Sequence, residues 1–277
     1  MSSGVRRILQ QNFFCCINFS IESCDKNLIF FYNQIEMEII DTLKNGYKII
    51  QDSEKFKFGI DAILLSHFAF DKIRKDEKVI DLGTGNGIIP LMLAKSNAKS
   101  ITGLEIQVEN VELAKRSVEL NQLEDKIQIV QGDIKSVSEN FAKHSFDVVV
   151  TNPPYMINEH GKQNPSDAKS IARHEVLCNL EDIISAVDFL LKPCGKFFMI
   201  HRPFRLPEIF SSLINHKIEP KAIQLISPFL SREPNLVLIE ARKNANPRLK
   251  FYDNLIVYEK PGIYTESINH IYSSFTL

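Results

Sequence analysis

The stretch Val79-Ile80-Asp81-Leu82-Gly83-Thr84-Gly85-Asn86-Gly87 predicts a buried strand that turns sharply into a helix. Three alternating glycines let the turn adopt positive φ and let a ligand approach the backbone closely. The apolar residues from Ile88 onward continue as a helix. A dinucleotide fingerprint needs a third small residue where Ile88 stands, and the chain has no G-x-x-x-x-G-K-[ST] loop for an NTPase. The turn therefore fits a nucleoside-amino acid better than a pyrophosphate.

Acidic residues follow at the ends of the next two predicted strands. Glu105 ends the second strand, where a carboxylate can accept hydrogen bonds from both ribose hydroxyls. Gly132-Asp133-Ile134 follows the third, where Asp133 can accept from an adenine amino group and Ile134 can pack on the base. Taken singly, each acid is better explained as a helix cap or a solvated loop residue. Their order at successive strand ends favours a nucleotide site.

A fourth strand, the apolar run 146–150, leads into Asn152-Pro153-Pro154-Tyr155. The two prolines lack amide donors and restrict φ, and Asn152 is held extended because it precedes a proline. The turn therefore presents the Asn152 amide oxygen and the Pro153 carbonyl as fixed acceptors, with the Tyr155 ring beside them. These groups suit a planar amino group on a conjugated system, such as adenine N6 or a carboxamide. The alternative is a stiff strand exit with a surface tyrosine.

Strands and helices alternate along the chain, which is typical of a doubly wound, mostly parallel α/β sheet. A short Pro-containing loop joins the last two strands and is too short for a crossover helix, so we expect these strands to pair antiparallel. The predicted strands are 78–82, 100–104, 127–130, 146–150, 196–200, 222–227 and 236–241. The predicted helices are 60–70, 87–96, 107–121, 180–191 and 206–216.

These motifs, taken together, resemble the class I S-adenosylmethionine-dependent methyltransferases. The resemblance implies a Rossmann-like seven-stranded sheet with a reversed last strand. Three further segments are similar to a bacterial family that methylates N6 of the adenosine 3′ of the anticodon in valine tRNA. They are Phe58-Gly59-Ile60-Asp61-Ala62-Ile63-Leu64-Leu65-Ser66, Ala172-Arg173-His174-Glu175 and the tail 255–264. The resemblance covers roughly residues 44–272.

The resemblance implies S-adenosylmethionine as cofactor and tRNA as substrate. Its cofactor residues would be Asp81, Gly83, Thr84, Gly85, Gly87, Glu105, Asp133, Ile134 and Asn152. Its catalytic residues would be Asn152, Pro153, Pro154 and Tyr155, and Tyr155, Arg202 and Arg205 would contact substrate. Three other readings stay open: a glutamine methyltransferase acting on release factors, a ribosomal RNA guanine-N2 methyltransferase, and a catalytically silent subunit with this fold.

Composition narrows the classes of protein further. The 277 residues carry a formal net charge of −1, so the chain as a whole does not attract nucleic acid electrostatically. Residues 201–250 nevertheless hold nine Lys or Arg against four Asp or Glu, an excess that suits either phosphate contacts or a solvated face. The members predicted to grip RNA are Arg202, Arg205, Lys217, Lys221, Arg232, Arg242 and Lys243.

Other sequence features bear on compartment and organisation. No apolar run is long enough to span a membrane, and no His or Cys spacing indicates a metal site. Five scattered cysteines suggest free thiols in a reducing compartment, which favours a cytoplasmic protein. The oligomeric state is left open between monomer and dimer. Residues 1–36 are expected to be an extension, disordered or preceding the true start at Met37, with an amphipathic partner-binding helix as the alternative. Residues 37–277 are expected to form the methyltransferase domain. The polar loop 156–171 is expected to act as a substrate lid, with plain disorder as the alternative.

Overall fold

The computed structural model describes residues 38–52, 59–153 and 178–275. The predictions for residues 1–36, Pro154, Tyr155, the loop 156–171 and segment 172–175 therefore lie outside the described residues. The main strands are β1 (Glu38–Thr42), β2 (Lys48–Asp52), β3 (Lys78–Leu82), β4 (Ser100–Glu105), β5 (Ile127–Gln131), β6 (Phe146–Thr151), β7 (Leu191–His201), β8 (Ile218–Ser227) and β9 (Leu236–Lys243). Short strands follow at β10 (Lys250–Phe251), β11 (Leu255–Ile256), β12 (Tyr258–Lys260) and β13 (Ile263–Tyr264).

Seven helices accompany these strands within the described ranges. They are α1 (Ile60–Phe70), α2 (Ile88–Leu93), α3 (Val108–Leu120), α4 (Val137–Asn140), α5 (Leu180–Leu190), α6 (Leu206–Asn215) and α7 (Glu266–Ser274). Two 3-10 turns, Ile134–Ser136 and Pro203–Arg205, follow β5 and β7. Each helix and strand predicted from the sequence is present, with ends that differ by a few residues.

The central sheet has the strand order β10-β8-β9-β7-β6-β3-β4-β5, and β11 also pairs with β8. Strands β3 to β7 run parallel, while β9 lies antiparallel between β7 and β8. The predicted doubly wound α/β sheet with a reversed last strand is therefore confirmed. The two-residue strands β10 and β11 enlarge it beyond the predicted seven strands by pairing parallel to β8.

Both faces of the sheet are buried, which explains why its strands are almost continuously apolar. Val79 and Val148 join the core on one face with α1, α2, α3 and α7. Ile80 and Val149 join the core on the other face with α4, α5 and α6. Helices on both sides leave only the two edges where strands begin and end free to form a site. The carboxyl edge is where parallel α/β sheets bind ligands.

The β1–β2 hairpin braces two of these helices from outside the central sheet. Asn45 Nδ2 donates to the Leu91 carbonyl of α2 at 2.9 Å. The amide of Ile50 donates to Ser117 Oγ of α3 at 2.9 Å, and Arg116 of α3 forms a two-bond ion pair with Glu38. Helices α2 and α3 start at the loops that follow β3 and β4, so the hairpin fixes the helices behind both loops.

Gly87 offers a test of the packing behind the glycine turn. Its φ is +85°, and a Cβ there would lie 3.1 Å from Ala114 Cβ on α3. Gly262 has a similar φ of +79° and no atom within 4 Å of such a Cβ. We predict that Gly262→Ala lowers the free energy of unfolding by about 1–2 kcal/mol, the cost of left-handed backbone alone. Gly87→Ala should cost measurably more in urea denaturation, because it adds the clash; equal losses would contradict this packing.

Candidate active site

The glycine turn after β3 is held against the end of β4. Gly83, Gly85 and Gly87 have φ of +72°, +57° and +85°, the conformation predicted from the sequence. The amides of Gly83 and Thr84 both donate to the Leu104 carbonyl, at 2.9 and 3.0 Å. Open space surrounds Gly85, since a Cβ built there would meet no atom within 4 Å. The turn is therefore a rigid, open cradle for a ligand.

Glu105 holds this cradle together. Its side chain is buried, and Oε2 accepts the Gly85 amide while Oε1 accepts the Gln107 amide, each at 2.9 Å. A carboxylate has about four acceptor positions, so two remain for ribose hydroxyls. The ribose contact was predicted from the sequence, whereas the hydrogen bonds from the Gly85 and Gln107 amides were not. Replacing Glu105 with Ala would disturb the loop as well as any ligand contact.

Asp81 is a buried acid with unmet hydrogen-bonding capacity. Its residue is fully buried, and neither carboxylate oxygen has a hydrogen-bond partner among the described residues. Burial raises the pKa of Asp81 to about 7, and the nearby Glu105 charge adds to the rise. The Thr84 hydroxyl is close enough to lower this pKa in part, but it too lacks a hydrogen bond of ordinary geometry. An unpaired buried carboxylate is costly, so this position favours a ligand that brings a cationic donor.

The loop after β5 completes this side of the edge. Asp133 Oδ1 accepts the Lys135 amide at 2.9 Å and begins the 3-10 turn, so the cap geometry considered from the sequence is present. The Gly132 amide donates to the Glu105 carbonyl at 2.9 Å. The Ile134 side chain comes within 3.9 Å of a Cβ built on Gly83. Residues from the ends of β3, β4 and β5 therefore surround one space.

Asn152 and Pro153 lie beside the glycine turn on the opposite side. Thr151, the last residue of β6, pairs with Leu82 of β3, and its Oγ1 donates to the Leu82 carbonyl at 2.9 Å. Asn152 directly follows Thr151 and Gly83 directly follows Leu82, so the Asn-Pro turn starts next to the cradle. Asn152 is half-buried and Pro153 is buried. Their partners in the motif, Pro154 and Tyr155, fall outside the described residues.

Two groups near Pro153, buried His201 and half-buried Cys178, were not predicted as site residues from the sequence. A small cavity is lined by Pro153, Cys178, Asn179, Leu180, Ile183, His201 and Arg205. Burial lowers the pKa of His201 to about 4, with the Arg205 charge adding to the effect, so the imidazole is neutral. Its Nδ1 accepts the Arg202 amide at 2.8 Å, which places the ring proton on Nε2. The only sequence signal for His201 is its position at the end of the strand next to β6.

Cys178 does not supply a nucleophile to this cavity. Burial raises the pKa of its thiol to about 12, and the charges of Asp182 and Asp133 add to the rise. The thiol is therefore protonated at neutral pH, whereas nucleophilic cysteines need an environment that favours the thiolate. This agrees with the absence of an activating sequence around it. The chemistry of the site must come from other groups.

The basic stretch predicted to grip RNA does not form one surface. Arg202, Arg205 and Arg232 lie at the carboxyl edge, because they follow the ends of β7 and β8. The other four lie toward the amino edge, because β9 runs backward and Lys196 pairs with Arg242. Those four are Lys217, Lys221, Arg242 and Lys243. A sequence window of charge was therefore a misleading guide to a spatial patch.

Arg202 and Arg205, predicted to contact substrate, both have partners within the protein. Arg202 Nη1 donates to the Asn235 carbonyl at 2.9 Å. Arg205 donates to both oxygens of Glu208, at 2.8 and 2.6 Å. These bonds fix the turn after β7 and neutralise part of its charge. In the part of the chain that the structure describes, no cluster of His, Cys, Asp or Glu could hold a metal ion, and no helix is long and apolar enough to cross a membrane.

Comparison with known proteins identifies the class of protein that this fold and site define. Residues 56–204 match the family model of the methyltransferase small domain. The chain belongs to this family. It is a class I methyltransferase, and its cofactor is S-adenosylmethionine, as the sequence resemblance implied.

Similar proteins cover most of the chain. A tRNA1(Val) (adenine(37)-N6)-methyltransferase of Porphyromonas gingivalis strain W83 is 28% identical over 79% of this chain and 88% of its own length. The protein of the same name from Dyadobacter fermentans is 27% identical over 78% of this chain and 88% of its own. The crystal structure of a predicted O-methyltransferase from Agrobacterium tumefaciens has a TM-score of 0.61, with 22% identity, and covers 78% of this chain and 96% of its own. That last likeness concerns the fold.

The residues around the cradle fit this cofactor. S-adenosylmethionine supplies an electrophilic methyl group on a sulfonium, together with an ammonium, a ribose and an adenine. The unpaired Asp81 carboxylate suits the ammonium, and the free acceptor positions of Glu105 suit the ribose hydroxyls. Asp133 offers an acceptor for an adenine amino group, and Ile134, beside Gly83, offers an apolar contact for the ring. Gly83 and Gly85 leave the space that the ligand requires.

The Asp81 pKa gives a pH prediction for cofactor binding. Below pH 7 the carboxyl group is protonated and must lose its proton before it can pair with a cation. Affinity for S-adenosylmethionine should therefore rise about fivefold between pH 6 and pH 7.4, and above that range the ligand's own α-ammonium, with an ordinary pKa of about 7.7–8.0, begins to lose its proton. Titration calorimetry at both pH values checks this, with Asp81→Asn as control. The variant should bind more weakly at pH 7.4 and lose the rise between the two pH values; a rise shared by both proteins would exclude Asp81 as its source.

Proposed function

We propose that this protein methylates N6 of adenosine 37, beside the anticodon of tRNA(Val). The observation that carries the proposal is the position of Asn152 and Pro153 directly beside the cofactor cradle. The similar proteins from P. gingivalis and D. fermentans are named for this activity, and this chain aligns with most of the length of each. They therefore support the choice of acceptor. We also propose a cytoplasmic location, residues 37–277 as the methyltransferase domain, and residues 1–36 as an extension before it.

The chemical problem for such an enzyme is that adenine N6 is a poor nucleophile, because its lone pair is delocalised into the ring. In this proposal the Asn152 amide oxygen and the Pro153 carbonyl accept the two N6 hydrogens. That arrangement favours a pyramidal nitrogen whose lone pair points away from the two acceptors. The same acceptors stabilise the positive charge that develops on nitrogen, and preorganised electrostatics of this kind is usually the largest catalytic contribution.

The remaining groups of the site orient the substrate and do not transfer protons. Methylated nitrogen is acidic before it loses its proton, so water can accept that proton and no general base is needed. His201 and Cys178 beside Pro153 are consistent with this, because the Nδ1 lone pair of neutral His201 already accepts the Arg202 amide and Cys178 keeps its thiol proton at neutral pH. Holding nitrogen, methyl and sulfur in line supplies the proximity contribution. In this scheme Tyr155 stacks on the target base and offsets part of the cost of unstacking it.

The acceptor is tested by mass spectrometry of nucleosides after incubation with isotopically labelled S-adenosylmethionine. Total tRNA from cells that lack this modification should gain labelled N6-methyladenosine, and a tRNA(Val) transcript with guanosine at position 37 should gain none. Ribosomal RNA and a release factor serve as competing acceptors in parallel reactions. Labelled N2-methylguanosine or methylglutamine, without methyladenosine, would contradict the proposal and identify one of the alternative classes.

The role of Asn152 is tested separately by substitution. Asn152→Ala should lower kcat by about 10²–10³-fold, because one preorganised transition-state contact is lost. Its affinity for S-adenosylmethionine should stay close to that of the wild type. Asn152→Asp keeps an acceptor oxygen and should retain more activity than the alanine variant, while Asn254→Ala, at an exposed position, is the matched control. An alanine variant with half the wild-type activity would show that the amino group is held elsewhere.

A further inference from the structure

Phe204 is an exposed aromatic residue at the carboxyl edge of the sheet. Its residue is 68% exposed, although it lies between the core-packed end of β7 and helix α6. Single apolar residues on a protein surface are common and need no explanation by themselves. The position of Phe204 is what distinguishes it. Its neighbour Arg205 lines the same cavity as Pro153, so residue 204 is one position along the chain from the cavity beside the proposed catalytic turn.

The backbone that carries Phe204 is rigid. Pro203 begins the 3-10 turn and restricts its φ, and the Arg205 amide donates to the Arg202 carbonyl at 3.2 Å. The two side-chain contacts of Arg202 and Arg205 described above fasten the turn to Asn235 and to Glu208. The turn therefore carries Phe204 into solvent from a fixed backbone position, so a ligand that covers the ring loses little affinity to ordering of the backbone.

A second exposed segment lies at the same edge. The loop 228–235 follows β8 and is joined to the Phe204 turn by the Arg202–Asn235 hydrogen bond. Leu230 in this loop is 86% exposed, the most exposed large apolar side chain among the described residues, and Arg232 is exposed beside it. Phe229 anchors the loop by packing on Tyr258, with ring centroids 5.6 Å apart. We call the turn 202–205 and the loop 228–235 the edge surface.

The edge surface combines a flat aromatic face, an apolar side chain and arginines. The edge surface contains three arginines and one acid, Glu233, and the acid just outside it, Glu208, is paired with Arg205. Aromatic rings beside cations are the combination that binds unpaired nucleotides, because every base has a π-face and every linkage a phosphate. A protein partner would instead be expected to bury a larger apolar area than two isolated side chains provide.

We propose that Phe204 stacks on an unpaired nucleotide adjacent to the methylated adenosine, with Arg232 contacting the RNA backbone. This inference rests on the proposed function and names the surface by which the acceptor is held. It assigns Phe204 to substrate binding and leaves the methyl-transfer step to the Asn152 turn. The chain also offers an internal comparison. Phe251 is 69% exposed, on the short strand β10 at the outer side of β8.

The test compares Phe204→Ala with Phe251→Ala. The probes are a tRNA(Val) transcript for steady-state kinetics and its fluorescently labelled anticodon stem-loop for equilibrium binding by anisotropy. Stacking on one base is equivalent to about 1–3 kcal/mol, so Phe204→Ala should raise KM and Kd for RNA by roughly 5- to 150-fold. Phe204→Tyr should bind RNA like the wild type, and Phe251→Ala should too. All variants should keep the thermal stability and S-adenosylmethionine affinity of the wild type.

Salt dependence separates stacking from phosphate contact. The slope of log Kd against the logarithm of the salt concentration should be unchanged in Phe204→Ala, because no charge is lost. In Arg232→Gln the slope should fall by about 0.7 for each phosphate that the arginine no longer neutralises. Equal RNA affinity of the Phe204→Ala and Phe251→Ala variants, in a protein that methylates tRNA, would overturn this inference and leave the proposed function intact. A wild-type protein that methylates no RNA would overturn both, and the nucleoside analysis would show it without any variant.

Discussion

The carboxylate of Glu105 is the contact on which the cofactor side of the site depends. Its two oxygens accept one amide from the glycine turn after β3 and one from the start of α3 after β4. A second tie runs through its own carbonyl, which accepts the Gly132 amide from the loop after β5. One buried residue thus connects three strand ends. Charge-assisted hydrogen bonds of this kind are stronger than neutral ones, which suits a loop that must keep its shape without a ligand.

Asp81 contrasts with Glu105, although both acids are buried on neighbouring strands, β3 and β4. Each carboxylate oxygen of Glu105 accepts one backbone amide and keeps one acceptor position for a ligand, while neither oxygen of Asp81 accepts a hydrogen bond among the described residues and burial raises its pKa to about 7. The first acid therefore stabilises the empty protein, and the second makes the empty protein less stable when ionised. Functional sites commonly retain such unsatisfied groups because the ligand satisfies them. The adjacent pair combines loop rigidity with a place for a cation.

The sequence was most informative where local chemistry determines local structure. The glycines at 83, 85 and 87 required positive φ, and β3 was predicted with the bounds it has, because buried parallel strands are nearly continuous apolar runs. The antiparallel direction of β9 was predicted because the loop between β8 and β9 is too short for the crossover that parallel strands require. The sequence was less informative where the structure depends on which distant residues meet. The basic stretch is divided between the two edges, because Lys217 and Lys221 lie at the start of β8 and the reversed β9 returns Arg242 and Lys243 to the same amino edge. His201 is buried through the pairing of β6 with β7.

The β1–β2 hairpin has a consequence for how this chain is divided experimentally. The family match begins at residue 56, after the hairpin has ended at Asp52. Yet the hairpin contributes acceptors and donors to α2 and α3, including the Asn45 bond to Leu91 and the Glu38 pair with Arg116. An expression fragment that begins at residue 56 would leave these helix groups without partners. It would also expose the apolar core surface that Ile49 covers. The hairpin therefore belongs to the folded unit although the family-model match begins after it, and truncation experiments should keep it.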